Sequence, residues 1–327
     1  MPICNALRRR SRAYTPTSTI AYRALSGKRP SRFLRDPVER YSYGVKRDHE
    51  SILDDVARLM AKVGAYQLSE WRRRPPGWGS EKSSREWVSH VDLRSQDLLR
   101  DGLSRIVPEA AFIGEEGSPP SGGGAEAADL SWIVDPLDGT SNYLSGLDWF
   151  NVSVALVDEE GPLLSCVYRP PSGERYSAIR SRGACYQGTP LPPAGKVSLR
   201  DSLVATGTPY RSPDLAAPFF EAAAALLPKC RDLRRLGSAA LDLCEVASGR
   251  IQAFWEPDLA AWDVAAALLV LLETGCPVYD ISGSPYSFGQ SRIIVTGWHG
   301  AAEALLSTIA PFYGADPNLT VNAIQGT

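Results

Sequence analysis

The sequence predicts a mixed fold, an α+β part followed by an α/β part, on three observations. Apolar residues Ile52, Val56, Leu59, Met60 and Val63 recur at helical spacing before any strand signal. Between Phe150 and Gln187, short alternating apolar runs succeed one another across turn residues, the pattern of paired strands. Beyond the Pro-rich stretch Pro190 to Gly195, strand-like and helix-like segments alternate. A chain of 327 residues can hold two core-bearing parts of this kind or one large one.

Residues 1–48 stand apart. They carry 12 Lys+Arg against 3 Asp+Glu and show no sustained apolar period, whereas the remainder has 23 against 34. This composition predicts a basic, disordered extension ahead of an organellar transit peptide; a start placed too far upstream gives the same look. No apolar core follows the arginines, so it does not read as a secretory signal. The boundaries expected are 1–48 for the extension, 49–197 for an α+β metal-binding part and 198–327 for an α/β part.

The first amphipathic helix should run from Ser51 to about Trp71, ended by Pro75-Pro76-Gly77. Gly77 to Arg85 reads as a mobile polar loop and Trp87 to Val91 as a short extended segment. Asp92 then opens a second helix with Leu99, Leu103 and Ile106 on one face, stopped by Pro108. Ala111 to Ile113 is a short strand entering a turn with two acids, Glu115 and Glu116. Ser118 to Asp129 is a Gly-rich surface loop.

The stretch that organises the chain is Ser131 to Tyr143. Trp132 to Val134 reads as a buried strand that ends in two aspartates three positions apart, Asp135 and Asp138. Pro136 and Gly139 force a turn there. Such a turn can aim both carboxylates and the Leu137 carbonyl at one point, the oxygen-only set that hard cations such as Mg²⁺ want. An ordinary type I turn with Asp as a turn former is the alternative.

Strands are expected over Phe150 to Val157, Leu163 to Tyr168, Tyr176 to Ile179 and Ala184 to Gln187, and then Ser202 to Thr206. A helix over Pro218 to Leu227 has Pro in its first turn. Another, Ala239 to Ala247, is closed by Gly249. Ile251 to Trp255 is a strand, Asp263 to Thr274 a nearly all-apolar helix stopped by Gly275, Arg292 to Thr296 a late strand and Ala301 to Ile309 a last helix.

Composition narrows the function. Apolar content of 44% and charged content of 22% suit a soluble globular protein, and no run is long enough to cross a membrane. The acidic body argues against nucleic-acid binding by the folded part. Six scattered cysteines without a CxxC spacing suggest buried reduced thiols and a cytoplasmic setting, with organellar targeting by the basic head as the alternative. His49, His90 and His299 lie in no motif, which argues against a zinc site or a Ser-His-Asp triad.

Acids therefore stand where elements begin or end: Asp92, Glu115 with Glu116, Asp135 with Asp138, and Asp263. Taken singly, Asp92 and Asp263 could be helix N-caps and the two glutamates solvated turn acids. Together with their neighbours they point further. Asp135-Pro-Leu-Asp-Gly-Thr-Ser-Asn-Tyr143 resembles the signature of the inositol monophosphatase family of metal-dependent sugar phosphatases. Gly114-Glu-Glu-Gly117 and Trp262-Asp-Val-Ala-Ala266 resemble its upstream and downstream acidic motifs. Order and approximate spacing agree from about Ile52 to Ile309.

The resemblance implies a layered α-β-α-β-α sandwich of the inositol monophosphatase/fructose-1,6-bisphosphatase type. It implies Glu115, Asp135, the Leu137 carbonyl, Asp138 and Asp263 as ligands of two or three Mg²⁺ ions, with Asp92 an acid near the outer one. Thr140 matches the hydroxyl that, with Glu115, positions the attacking water. Gly139, Thr140, Gly237, Ser238, Ala239 and Glu256 fall on substrate-contacting positions; the 19-residue step from Gly237 to Glu256 supports that alignment, a surface carboxylate being the bland alternative for Glu256. A phosphate monoester is a dianion, so clamping its oxygens and activating a water with metal ions is the expected chemistry. The implied activity is lithium-sensitive, Mg²⁺-dependent hydrolysis of a small polyol or sugar phosphate, inositol monophosphate first, by a homodimer. Fructose-1,6-bisphosphatase, histidinol phosphatase and 3′(2′),5′-bisphosphate nucleotidase activities are alternatives, and a family-fold protein acting mainly by partner binding is one of another class. Ser141-Asn142-Tyr143 leans away from the nucleotidases. Ala267 and Cys276 stand where the family often has Gly, and neither change removes a ligand.

Overall fold

The computed structural model describes residues 48–73, 79–83, 86–116, 129–287, 291 and 293–314. Most of the basic extension and most of the Gly-rich loop at 118–129 therefore lie outside the described residues. Helix α1 (His49–Arg73) starts two residues before Ser51 and buries Leu53, Val56, Met60 and Val63 along one stripe. The polar stretch 77–85, which composition assigns to a loop, instead contributes strand β1 (Gly79–Ser83), paired antiparallel with β2 (Glu86–Ser89). Backbone pairing needs no apolar side chain, so a polar strand leaves no hydrophobic signal.

Helix α2 (His90–Ile106) corrects another expectation. Its N-cap is Ser89, not Asp92: the Ser89 hydroxyl accepts from Val91 N at 3.1 Å, and Asp92, three residues into the motif, accepts from Ser89 N at 2.8 Å. This is a capping box, in which the acid sits at the third helical position. β3 (Ala111–Gly114) runs parallel to β4 (Ser131–Asp138), and the short helix α3 (Thr140–Ser145) follows. An antiparallel meander comes next: β5 (Asn151–Asp158), β6 (Gly161–Arg169), β7 (Glu174–Ile179), β8 (Gly183–Tyr186) and β9 (Thr189–Pro190). Strands β3 to β9 form one seven-stranded sheet in chain order.

The second sheet is built from β10 (Leu203–Thr206), β11 (Asp232–Arg234), β12 (Ala253–Pro257), β13 (Val278–Tyr279) and β14 (Ile293–Gly297), in the order β11-β10-β12-β14-β13. Between and after these strands come α4 (Ala216–Leu226), α5 (Ala239–Ala247), α6 (Ala261–Thr274) and α7 (Ala301–Tyr313). Asp263 is again the third residue of its helix and not the opener; Ala260 holds the cap position.

Strand periodicity sorts side chains into layers. Trp132, Val134, Val154, Leu156 and Cys166 pack against α1 and α2, whereas Ile133, Ala155, Val157, Val167 and Tyr176 face α5 and α6. From the second sheet, Ala205, Phe254 and Ile294 face the same two helices, and Val204, Trp255, Ile293 and Val295 face α4 and α7. The order is thus helix pair, sheet, helix pair, sheet, helix pair: the α-β-α-β-α sandwich. Helices α5 and α6 are buried on nearly all sides, which explains why α6 reads as apolar all round. Cys166, Cys185, Cys244 and Cys276 are buried thiols, as expected; Cys230 is part-exposed. No helix among the described residues is long and apolar enough to cross a membrane.

Trp255 tests the outer core. It is fully buried, stacks on Phe219 with ring centroids 5.6 Å apart, and donates from Nε1 to Tyr313 Oη at 3.2 Å. Trp255→Phe removes that bond and leaves a small void, so urea denaturation should show a loss of about 1–2 kcal/mol. An unchanged midpoint would mean that the stack and the bond contribute nothing.

Candidate active site

Residues three apart on a regular strand point to opposite faces. Asp135 and Asp138 share a side because β4 is bulged between them: Asp135 pairs with Ser153 and Asp138 with Asn151, three steps on one strand against two on the other. Both carboxylates are buried. Gly139 then takes φ +90°, where a β-carbon would also stand 2.8 Å from the Trp149 carbonyl. The predicted turn is therefore a bulge within the strand followed by a left-handed glycine.

The acids from distant segments meet in a cleft of about 300 Å³. Its walls include Glu115 after β3, Asp135, Leu137 and Asp138 of β4, Gly139 and Thr140, Gly237 and Ser238 before α5 and Ala239 at its start, Glu256 on β12 and Asp263 on α6. All the metal and substrate positions named from the sequence thus come together. Two acids do not join the wall. Glu116 is buried, with its backbone N–H donating to Gln96 Oε1 at 2.8 Å. Asp92, expected as an acid near a metal, lies behind Thr140: its Oδ1 accepts from Thr140 Oγ1 at 2.9 Å and its Oδ2 from Ser89 N and Oγ at 2.8 and 2.6 Å. The same Thr140 hydroxyl is 3.0 Å from the Leu137 carbonyl.

Hydrogen bonds aim the carboxylates. Asp135 Oδ1 accepts from Leu137 N at 2.9 Å. Asp138 Oδ2 takes three donors: Asn151 Nδ2 at 2.7 Å, Ser238 Oγ at 2.7 Å and Ala240 N at 3.0 Å. The first turn of α5 thus commits its Ala240 N–H to Asp138. Asp263 Oδ2 accepts from Ala260 N at 2.8 Å and pairs with Arg211 Nη1 at 3.4 Å.

Electrostatics show how crowded the acids are. Burial raises the Asp135 pKa well above the ordinary range, and Glu115, Asp138 and Asp263 each push it further. Asp138 is raised to about 6 by burial, against the hydrogen bond from Ser238. Asp92 is also raised to about 6 by burial, with the Ser89 and Thr140 bonds opposing. Glu256 is driven well up by burial, Asp242, Asp263 and Asp138, and Arg235 partly offsets them. The cleft wall carries six carboxylates (Glu115, Asp135, Asp138, Glu256, Asp258, Asp263) against two guanidinium groups (Arg211, Arg235). Such an excess of hard oxygen donors with the Leu137 carbonyl fits Mg²⁺ or a similar cation. Among the described residues, no three acidic, histidine or cysteine side chains are already drawn tightly enough to grip an ion. One oxygen of each of Asp135 and Asp263 is engaged, Asp135 Oδ1 by Leu137 N and Asp263 Oδ2 by Ala260 N and Arg211.

Several participants carry no local sequence signal. Asp242, inside α5, is buried, accepts from Trp149 Nε1 at 3.0 Å, and has its pKa raised well up by burial and by Asp138. Nothing separates it in the sequence from a surface helix acid. Asn151 supports Asp138 from the neighbouring strand, and Arg211 reaches Asp263 from 52 residues away. Asn142 donates from Nδ2 to Trp149 O and Leu236 O, both at 2.8 Å, tying the signature stretch to the turn before α5.

Comparison with known proteins places this architecture. The family model described as "Inositol monophosphatase family" matches residues 48–311. "Nus factor SuhB" of Haemophilus influenzae is 33% identical over 267 residues, covering 82% of this chain and 98% of that protein. "Inositol-1-monophosphatase" of Rhizobium meliloti is 37% identical over 233 residues, covering 70% and 85%. The crystal structure of extragenic suppressor protein suhB from Bartonella henselae superposes with a TM-score of 0.74 at 28% identity, covering 79% of this chain and 98% of that one.

Proposed function

The chain belongs to the inositol monophosphatase family, and from that premise we propose a Mg²⁺-dependent phosphomonoesterase acting on a small polyol or sugar phosphate, inositol monophosphate first. The observation that carries this reading is the meeting of Glu115, Asp135, Asp138 and Asp263 in one cleft, where burial and neighbouring acids raise the proton affinities of Asp135 and Asp138. A site with that charge excess holds cations, and a phosphate dianion binds to cations.

Glu115, Asp135, Asp138, Asp263 and the Leu137 carbonyl would hold the metal. When bound, it supplies charge neutralisation of the phosphate and activation of a water nucleophile. The chain's own residues arrange the rest. Asp92 accepts a hydrogen bond from Thr140 Oγ1, which leaves a lone pair of that oxygen to accept one from the attacking water. Glu115, on the same wall, would take up the water's proton. Glu256 offers a carboxylate to substrate hydroxyls.

The test is phosphate release from a panel of inositol 1-phosphate, fructose 1,6-bisphosphate, histidinol phosphate and 3′(2′),5′-bisphosphate nucleotides, with and without Mg²⁺ and Li⁺. Mg²⁺-dependent turnover, strongest for inositol 1-phosphate and suppressed by Li⁺, is expected. No turnover of any panel member would sink the reading. A second reading, action through a protein partner, is favoured by the relatives named Nus factor SuhB. It predicts that variants without the cleft acids retain full cellular function.

A further inference from the structure

Strands β10 and β12 are parallel neighbours, with Thr206 opposite Trp255, so Gly207, the first residue past β10, lies beside Glu256, which is still within β12 and paired with Ile294. The Glu256 carboxylate lies flat against the Gly207 backbone. A β-carbon at 207 would stand 1.8 Å from Glu256 Oε1, 2.1 Å from its Cδ and 2.4 Å from Oε2. Conformation does not demand glycine here, because Gly207 is not among the positive-φ residues. The requirement is for space alone.

The backbone of the 207–212 loop is anchored near this contact. Ser212 Oγ hydrogen-bonds Asp258, and Arg211 pairs with Asp263 at 3.4 Å, so the loop is tied at two further points to the segment carrying Glu256 and Asp263. If a side chain grows at 207, the end of the Glu256 side chain is the mobile party and the anchored backbone is not. Asp242, Asp263 and Asp138 lie near enough to repel its carboxylate, and Arg235 near enough to attract it.

We propose that Gly207 is a positioning residue that determines specificity: by having no side chain, it seats the Glu256 carboxylate where that group meets the hydroxyls of a polyol phosphate. This rests on the function proposed above. The role follows from sterics: the carboxylate needs the volume that any other residue would fill. Gly207→Ala then leaves the fold and cation binding intact and moves one recognition group away from the substrate.

The experiment measures KM and kcat for inositol 1-phosphate and for phenyl phosphate, which lacks hydroxyls, in the unaltered chain, Gly207→Ala, Glu256→Ala and the double variant. Gly207→Ala should raise KM for inositol 1-phosphate about tenfold, the usual size of one lost hydroxyl contact, with kcat little changed and phenyl phosphate unaffected. In the Glu256→Ala background the same change at 207 should add nothing, because the displaced group is gone. Equal losses on both substrates, or full additivity with Glu256→Ala, would overturn the assignment, as would an unchanged KM. An unaltered chain that turns over neither ester would instead overturn the phosphatase reading, and this role with it.

Discussion

Asp135→Asn should lower turnover on the order of a thousandfold, the scale seen when one member of a preorganised electrostatic set is removed. It should at the same time raise the melting temperature of the metal-free protein. The amide oxygen of the introduced asparagine can still accept from Leu137 N, as the Asp135 carboxylate does, so the β4 bulge keeps its internal bond. What disappears is a buried charge disfavoured by burial and by Glu115, Asp138 and Asp263. Relieving that repulsion favours the folded state. The pair of measurements separates function from folding: a fall in both activity and stability would mean that Asp135 is a structural residue, and unchanged turnover would remove it from the site.

The metal-free protein should lose stability as pH rises from about 4 to 7, and Mg²⁺ should abolish that loss. Asp92 and Asp138 are lifted from 3.8 to about 6, and Asp135 is raised well above 3.8 too. A carboxylate with a raised folded-state pKa keeps its proton when the unfolded chain has released it. Its neutral form therefore favours the fold below 3.8, and the advantage drains away as pH climbs through about 6. A displacement of about two units corresponds to roughly 3 kcal/mol for each group as an upper bound. Glu174 has the opposite sign but outside this window: burial raises it, and hydrogen bonds from Tyr186, Ser172, Arg250 and Arg169 outweigh burial and hold it at about 2. Its contribution is gained between about 2 and 4.5 and is constant above. Thermal melts in EDTA and in excess Mg²⁺ across that range give the answer. A melting temperature that rises with pH in EDTA, or a slope that Mg²⁺ leaves unchanged, would show that the clustered acids do not behave as one cation site.

Much of this was legible because local chemistry reports local structure. The apolar spacing of Ile52 to Val63 located α1, and Gly275 at φ +77° ends α6 where a left-handed cap is needed. The failures have equally specific causes. Strand β1 is polar and pairs with β2 through its backbone, so composition assigned it to a loop. Asp92 and Asp263 looked like helix openers because each sits only three residues past the cap residue whose N–H it accepts from.

The sequence by itself determined which oxygens the chain can offer: Glu115, Asp135, Asp138, Glu256 and Asp263 were identifiable from motif and spacing, as was the layered fold they imply. Only the tertiary structure decided where those oxygens go. A bulge turns Asp135 and Asp138 to the same side, Asp92 stands behind Thr140, Arg211 answers Asp263, and Gly207 makes room for Glu256. The reason is the range of the forces involved. Dihedral preference and side-chain period act within a few residues and so are written along the chain. The company a buried carboxylate keeps is set by two sheets packing across a shared helix layer, which brings together residues about a hundred positions apart, as Asp138 and Ser238 are.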